Sequence, residues 1–280
     1  MQLPPDSLRA IAELARRRAG IVITDEQAYL LEVRLTPVAA RLGFGSLREL
    51  VAAIARHPAE TLAEAVVEAL TTPETSFFRD GYPFDLLRRV MLPDLLQRRA
   101  GERQLRIWSA AAATGQEAYS IGFCLEELGP AVEGWRLEVV GTDLAAGTIA
   151  RAREGRYSHF EVQRGLPIQL LVRHFERAGQ DWRVRPGLRA RIRFERHNLL
   201  DDAAWLGRFD IVFLRNVLIY FDLPTRRRVL ERIAAVLAED GYLVLGGTET
   251  ARGLTEHLVA DELQPALVRR VRPTLRRGAA

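Results

Sequence analysis

The 280-residue chain contains no lysine, so all 40 of its basic side chains are arginine. Genome composition is enough to explain such a bias, but its chemical consequence is definite. Without a lysine there is no Schiff-base chemistry and no P-loop lysine to grip a triphosphate. Cysteine is nearly as scarce: Cys124 stands alone, which excludes a disulfide framework within the chain. It falls on an apolar stretch and reads as a core residue. No apolar run reaches the roughly 18 residues a membrane helix needs, so no membrane insertion is expected. The first residues carry Pro4-Pro5 and Asp6 without an apolar core, so no signal peptide is expected either. His57, His159, His174, His197 and His257 show no ligand-pair spacing, and no metal is expected. Acidic residues number 36, leaving a formal net charge of only +4. That is thin support for a nucleic-acid partner, and none is expected. The expected setting is cytoplasmic and reducing.

What is present is an ordinary globular composition, 48% hydrophobic and 27% charged, long enough for more than one domain. The first seventy or so residues read as all-helical. Leu8, Ile11, Ala12, Leu14 and Ala15 form an apolar stripe at helical spacing, and Gly20 is the expected stop. Thr24 with Gln27 and Ser46 with Glu49 have capping-box spacing. The first opens a helix through Leu30, Leu31 and Val33 that Pro37 should end or kink. The second opens Leu47 to Arg56. A fourth helix is expected from about Pro58 to Leu70. Arg16, Arg17, Arg18, Arg34, Arg41, Arg48 and Arg56 lie in this part. They read as a solvated face, with a docking surface for an acidic partner as the other reading.

Thr71 to Asp80 is a junction, Thr-Thr-Pro-Glu-Thr-Ser-Phe-Phe-Arg-Asp. Two adjacent aromatics are costly to expose in a linker, so they should pack and fix Thr75 and Arg79 in place. Helices are expected around Phe84–Val90 and Leu92–Arg99. Beyond Leu105 the pattern alternates. Strands are expected at Leu105–Trp108, Leu137–Gly141, Phe209–Leu214 and Tyr242–Gly246, with helices at Glu117–Leu128, Ala145–Arg153 and Thr225–Leu237. Apolar strands alternating with helices imply a mostly parallel sheet covered on both faces. A helix from Ile168 to Phe175, then Trp182–Val184 and Ala190–Phe194, break that rhythm. The last two read as a small inserted antiparallel hairpin. The expected fold is α/β: an all-α domain over residues 1–72, then a Rossmann-like domain over 73–280 carrying the hairpin.

The stretch from Leu105 to Leu128 is strand, small-residue turn, helix, the form in which an α/β fold lets a nucleotide-like ligand approach the backbone. Ser109 to Gly115 holds one glycine, and so is neither G-x-G-x-x-G nor a P-loop. A sulfonium cofactor has no phosphate and needs no dense glycine nest. It needs close approach, and acids for its ammonium and ribose hydroxyls, which Glu117 and Asp143 can supply. Either acid can equally be a surface carboxylate or a dipole partner at a helix start. Asn198-Leu199 and Arg215-Asn216 follow strands, where such sheets place ligands. An Arg-Asn pair set against Val-Leu-Ile-Tyr-Phe is either a structural hydrogen-bonding pair or the floor of a site.

Together the segments Glu74–Asp80, Trp108–Ser120, Gly141–Leu144, Asn198–Leu200 and Leu214–Asp222 resemble the CheR-type chemotaxis receptor methyltransferases over nearly the whole chain. Near the cofactor the family reads Trp-Ser-Ala-Ala-Cys-Ser-Thr-Gly-Glu-Glu-Pro-Tyr-Ser. This chain keeps Trp108, Ser109, Ala110, Ala111, Thr114, Gly115, Glu117, Tyr119 and Ser120, and has Ala112, Ala113, Gln116 and Ala118 at the others. Pro73 stands where the family's junction has asparagine, and Arg215 to Asp222 match in full. The resemblance implies S-adenosylmethionine as cofactor, S-adenosylhomocysteine as product, and glutamates on the cytoplasmic helices of chemoreceptors as substrate. It implies cofactor contacts at Thr75, Arg79, Glu117, Asp143, Asn198, Leu199, Arg215 and Asn216. Tyr220 would line the methyl-transfer mouth, and Arg215 or Arg79 would orient a carboxylate. It raises the docking reading of the arginines. Because Arg177 to Val184 is short, no binding of a receptor's peptide tether is expected. The Pro73 and Gln116 departures leave open a cofactor-binding module without activity. A methyltransferase acting on RNA or a small molecule is also open.

Overall fold

The structure is a computed structural model that describes residues 4–56, 60–261, 264 and 266–270. The expected helix onset at Pro58, His57 and the tail after Pro273 lie outside the described residues. Two compact units emerge from the contacts: Met1–Thr72 with Ile219–Arg226, and Pro73–Leu218 with Arg227–Ala280.

The first unit contains the helices α1 (Pro5–Ala19), α2 (Ala28–Arg41), α3 (Leu47–Arg56) and α4 (Glu60–Leu70). Their buried faces follow the helical period: Ile11, Leu14 and Ala15 on α1, Leu31, Leu35 and Val38 on α2, Leu50, Val51 and Ile54 on α3, and Ala63, Val66, Val67 and Leu70 on α4. Gly20 ends α1 in the left-handed region, its N–H donating to the Arg16 carbonyl. Ser46 accepts the Glu49 N–H at 3.2 Å as a cap. At Thr24 only the return half of the box forms, with Gln27 Oε1 accepting the Thr24 N–H at 3.4 Å. Pro37 does not end its helix, since α2 runs on to Arg41. Proline deletes a single rung of the ladder, and the buried residues on either side, Leu35 and Val38, hold the turn.

Residues 219–226 join this unit although the sequence reading assigns them to the second domain. Ile21 pairs with Phe221 in an antiparallel bridge, and the Val22 N–H donates to the Tyr220 carbonyl at 2.9 Å. Such long-range pairing leaves no mark on local periodicity.

In the second unit, α5 (Tyr82–Leu86) continues through a π-helical turn (Leu87–Met91) into α6 (Leu92–Arg98). There follow β1 (Gln104–Ala110), α7 (Gln116–Glu126), β2 (Arg136–Asp143), α8 (Ala146–Glu154), β3 (Arg156–Tyr157), α9 (His159–Gln163), α10 (Ile168–His174), β4 (Phe175–Ala178), β5 (Asp181–Val184) and α11 (Pro186–Arg189). The chain then makes β6 (Ile192–Arg196), β7 (Phe209–Leu214), α12 (Leu223–Val236, of which the part from Arg227 belongs to this unit), β8 (Leu237–Leu245), β9 (Leu258–Ala260) and β10 (Leu267–Arg270). The main sheet has the order β6-β2-β1-β7-β8-β10-β9. Its first five strands are parallel, and β10 adds antiparallel to β8 and β9.

A small antiparallel sheet is present, in the order β3-β5-β4, but the expected hairpin partner is wrong. Trp182–Val184 pairs with Phe175–Ala178, where a helix end was expected, whereas residues 192–196 lie parallel to β2 at the main sheet's edge. Ile192 and Phe194 are buried, Arg193 is exposed and Glu195 partly so, an alternation that suits an edge strand as well as a hairpin. Gly141, on β2 beside Phe194, makes the pairing possible: a Cβ there would come within 2.6 Å of the Phe194 ring. Cys124 is buried in the core, and burial pushes its thiol up to about 12.

Candidate functional site

From β1 the chain moves outward through β2 to β6 on one side of the sheet, then returns to build β7 and β8 on the other. The boundary between β1 and β7 is therefore a topological switch point. Open α/β sheets bind ligands there, beyond the carboxyl ends of their strands. Ser109 to Gly115 leaves β1 at that end, Asp143 closes β2, Asn198 follows β6, and Arg215 and Asn216 follow β7. Five of the eight predicted cofactor residues, Asp143, Asn198, Leu199, Arg215 and Asn216, thus sit at or just beyond the carboxyl ends of neighbouring strands.

The loop after β1 is tightly specified. Ala111 and Ala113 have φ of 62° and 48°, and Gly115 has φ 97°. Left-handed conformations at two alanines cost energy and persist only where the surroundings impose them. Here the Ala112 N–H donates to the Thr142 carbonyl at 2.7 Å, and Asp143 Oδ2 accepts the Ala113 N–H at 3.0 Å. Tyr157 donates its hydroxyl to the Thr114 carbonyl at 2.7 Å. Gly115 faces Ala152, Phe194 and Tyr157, all 3.0–3.1 Å from where a Cβ would stand. Gln116 is buried and accepts the Thr114 hydroxyl at 2.7 Å, so this departure from the family pattern serves to close the loop.

Glu117 stands in the first turn of α7 and is only 8% exposed. One carboxylate oxygen accepts the Ser109 hydroxyl at 2.8 Å, and the other accepts Arg215 Nη1 at 2.8 Å. Arg215, buried at the end of β7, also donates through Nη2 to the Arg79 carbonyl at 2.9 Å and to Asp80 Oδ2 at 2.7 Å. A single guanidinium thereby joins β7, α7 and the 73–80 junction. Its Nε is buried with no partner among the described residues.

The junction behaves as its aromatics require. Phe77 is fully buried, edge-on to Tyr157 at 5.1 Å and to Phe175 at 5.7 Å, and Phe78 packs on Phe84 at 5.1 Å. The Phe78 N–H donates to Ser120 Oγ at 3.0 Å, which fastens the junction to α7. Thr75 and Arg79 are half-buried, and Arg79 Nη1 donates to the Glu74 carbonyl at 3.0 Å. Asp143 also accepts the Ala145 N–H at 3.1 Å, and Asn198 Oδ1 accepts the Leu200 N–H at 3.0 Å. Tyr220 belongs to the segment that groups with the helical unit.

Two participants escaped sequence reasoning. Asp80 shares Arg215 with Glu117, and Glu249 gathers the backbone N–H groups that follow Arg215. The available signal for Glu249 was a carboxylate three residues past the glycine that ends an apolar strand, in Gly246-Gly247-Thr248-Glu249.

The donor set fits S-adenosylmethionine. It offers carboxylates at the end of β2 and in the first turn of α7, a loop of small residues without a phosphate nest, and a guanidinium nitrogen without a partner among the described residues. Comparison with known proteins agrees. Residues 6–71 match the family model described as CheR methyltransferase, all-alpha domain, and residues 73–265 match CheR methyltransferase, SAM binding domain. The chain is 39% identical over 258 residues to the chemotaxis protein methyltransferase Cher2 of Pseudomonas putida, covering 90% of this chain and 93% of that one. It is 40% identical over 262 residues to chemotaxis protein methyltransferase 1 of Pseudomonas aeruginosa, covering 91% and 94%. A chemotaxis protein methyltransferase of Borreliella burgdorferi is 28% identical over 258 residues. With an all-α unit followed by an S-adenosylmethionine-binding α/β unit, the chain belongs to the CheR methyltransferase family.

Proposed function

We propose that the protein is a cytoplasmic protein-glutamate O-methyltransferase that methylates glutamates on the cytoplasmic helices of chemoreceptors and releases S-adenosylhomocysteine. The observation that carries this reading is the buried Glu117–Arg215 pair at the switch point, with Asp143 on the adjoining strand. When bound, S-adenosylmethionine supplies a methyl group already activated on a positively charged sulfur. A substrate glutamate is ionised at neutral pH, so no general base is required. The residues then have to position and to exclude water.

In this reading Asp143 holds the ribose hydroxyls, and Glu117 the methionyl ammonium through lone pairs that Ser109 and Arg215 leave open. Thr75, Asn198, Leu199 and Asn216 complete the cofactor contacts. Arg215, whose terminal nitrogens hold Glu117 and the junction, or Arg79 orients a carboxylate on the substrate or on the cofactor. Tyr220 lines the methyl-transfer mouth, as its place in the family motif implies.

In the helical unit Arg34 is committed to the Leu70 and Thr71 carbonyls, Arg16 to Glu13 and Arg18 to Glu60. The exposed Arg41 and Arg48 suit docking of an acidic receptor surface. Between β4 and β5 there are only Gly179 and Gln180, which supports the absence of a tether-binding loop. No helix among the described residues is long and apolar enough to cross a membrane.

Incubation with labelled S-adenosylmethionine and receptor cytoplasmic fragments tests the proposal. Carboxyl methyl esters on the fragments release volatile methanol in base. A base-stable label would mark N-methylation, and cofactor binding without transfer to receptor would mark a silent module. Either result rejects the reading.

A further inference from the structure

Glu249 lies just past β8 and is only 8% exposed. Among the described residues its carboxylate is hydrogen-bonded to backbone N–H groups and to no side chain. Oε2 accepts the N–H groups of Asn216 and Gly246, each at 2.8 Å, and Oε1 accepts those of Val217 at 2.9 Å and Leu218 at 2.7 Å. A carboxylate has about four acceptor positions, and here all are occupied by backbone donors. It therefore has no capacity left to act as a base or to bind a ligand. Three of its donors are the consecutive amides that follow Arg215, an arrangement in which backbone N–H groups close around an anion.

That arrangement has a conformational consequence. Asn216 sits at φ 56°, a left-handed conformation that asparagine tolerates better than most non-glycine residues, and its N–H is bound there by Glu249. The approach is close: a Cβ on Gly246 would stand 2.6 Å from Glu249 Oε2 and 3.1 Å from the Asn216 nitrogen. Only a residue without a side chain fits at 246 while the carboxylate reaches past it.

We infer that Glu249 is a positioning residue for methyl transfer: its carboxylate fixes the backbone turn at Asn216–Leu218 and so aims Asn216 and Arg215 at the cofactor. The inference rests on the cofactor assignment proposed above.

Glu249→Gln is the informative change. It keeps the shape of the side chain but places an NH2 group against one pair of the amides, whichever way it turns. Binding of S-adenosylmethionine is measured by calorimetry well below the variant's unfolding midpoint. The affinity should fall about ten- to hundredfold, the effect of losing hydrogen bonds to a charged group. Hydrogen-exchange protection should be lost at the pair of amides that faces the NH2 group, Asn216 with Gly246 or Val217 with Leu218, and kept in β1 and α7. A residue that only stabilised the fold would lower the midpoint and leave affinity unchanged in the folded protein. Affinity within about twofold of the parent overturns the inference. The two readings fail separately. A parent that binds the cofactor but makes no base-labile ester on receptor fragments refutes the substrate assignment, while the Glu249→Gln affinity still decides this one. A parent that does not bind S-adenosylmethionine refutes both.

Discussion

Asp143 carries two tasks on one side chain. Its oxygens accept the N–H groups of Ala113 and Ala145, which pins the loop after β1, and the ribose contact is its second, proposed task. Removing the side chain should therefore disturb both loop and ligand. Asp143→Ala is expected to weaken S-adenosylmethionine binding by about a hundredfold, and Asp143→Asn, which retains one acceptor oxygen, by less. Titration calorimetry checks the order, and an unchanged affinity in the alanine variant would remove Asp143 from the site. Tyr220 should behave oppositely. If Tyr220 lines the methyl-transfer mouth as proposed, Tyr220→Phe is expected to lower kcat while leaving cofactor affinity near the parental value. Equal losses in both would reject that role. At this scale the sequence was informative about acids and arginines near strand ends. It was silent about which partners they take, because Arg215 reaches Glu117 and Asp80 across 98 and 135 residues.

Among the elements, the Glu117–Arg215 pair holds the start of α7, the end of β7 and the junction in one arrangement. The Arg215 side chain is 1% exposed and that of Glu117 11%, so the pair is largely desolvated. Truncating one partner of such a pair strands the other charge, typically at a cost of about 3–5 kcal/mol. Glu117→Ala should lower stability by that order, with Asp80 recovering part through its own contact to Arg215, and urea unfolding measures it. A loss well under about 1 kcal/mol would show that solvent reaches Arg215. The junction offers a second test. Phe77 is fully buried among Tyr157, Phe123 and Phe175, and Phe77→Ala should cost about 3–5 kcal/mol. The strand-turn-helix at β1 and α7, and the packing of Phe77 and Phe78, were legible because each rests on local apolar pattern. The placement of β6 was not. Alternating burial at Ile192 and Phe194 fits either a hairpin or a sheet edge, and the choice is made by Gly141 on another strand.

For the whole molecule the same division holds: the two-part organisation shows in composition and period, whereas the membership of residues 219–226 depends on the bridge between Ile21 and Phe221. Stability against pH is likewise a sum over distant groups, and its sign follows from burial. His174 and His197 both lie below the ordinary 6.5, chiefly because burial disfavours their charged forms. Arg173 adds to the shift at His174, while Asp201 opposes it at His197. Each therefore binds a proton more readily in the unfolded chain. Their contribution to stability is complete above 6.5 and is lost as pH falls through the lowered folded-state values. Asp240 acts with the same sign in a different window. Hydrogen bonds from Arg99 hold its carboxyl at about 2 against an ordinary 3.8, so its contribution is lost only in stronger acid. A decline in mild acid thus belongs to the histidines. The urea unfolding midpoint of the parent should fall between about pH 7.5 and pH 5.5, and the fall should shrink when His174→Gln and His197→Gln are combined. If the double variant loses as much as the parent over that interval, the buried histidines are not its cause.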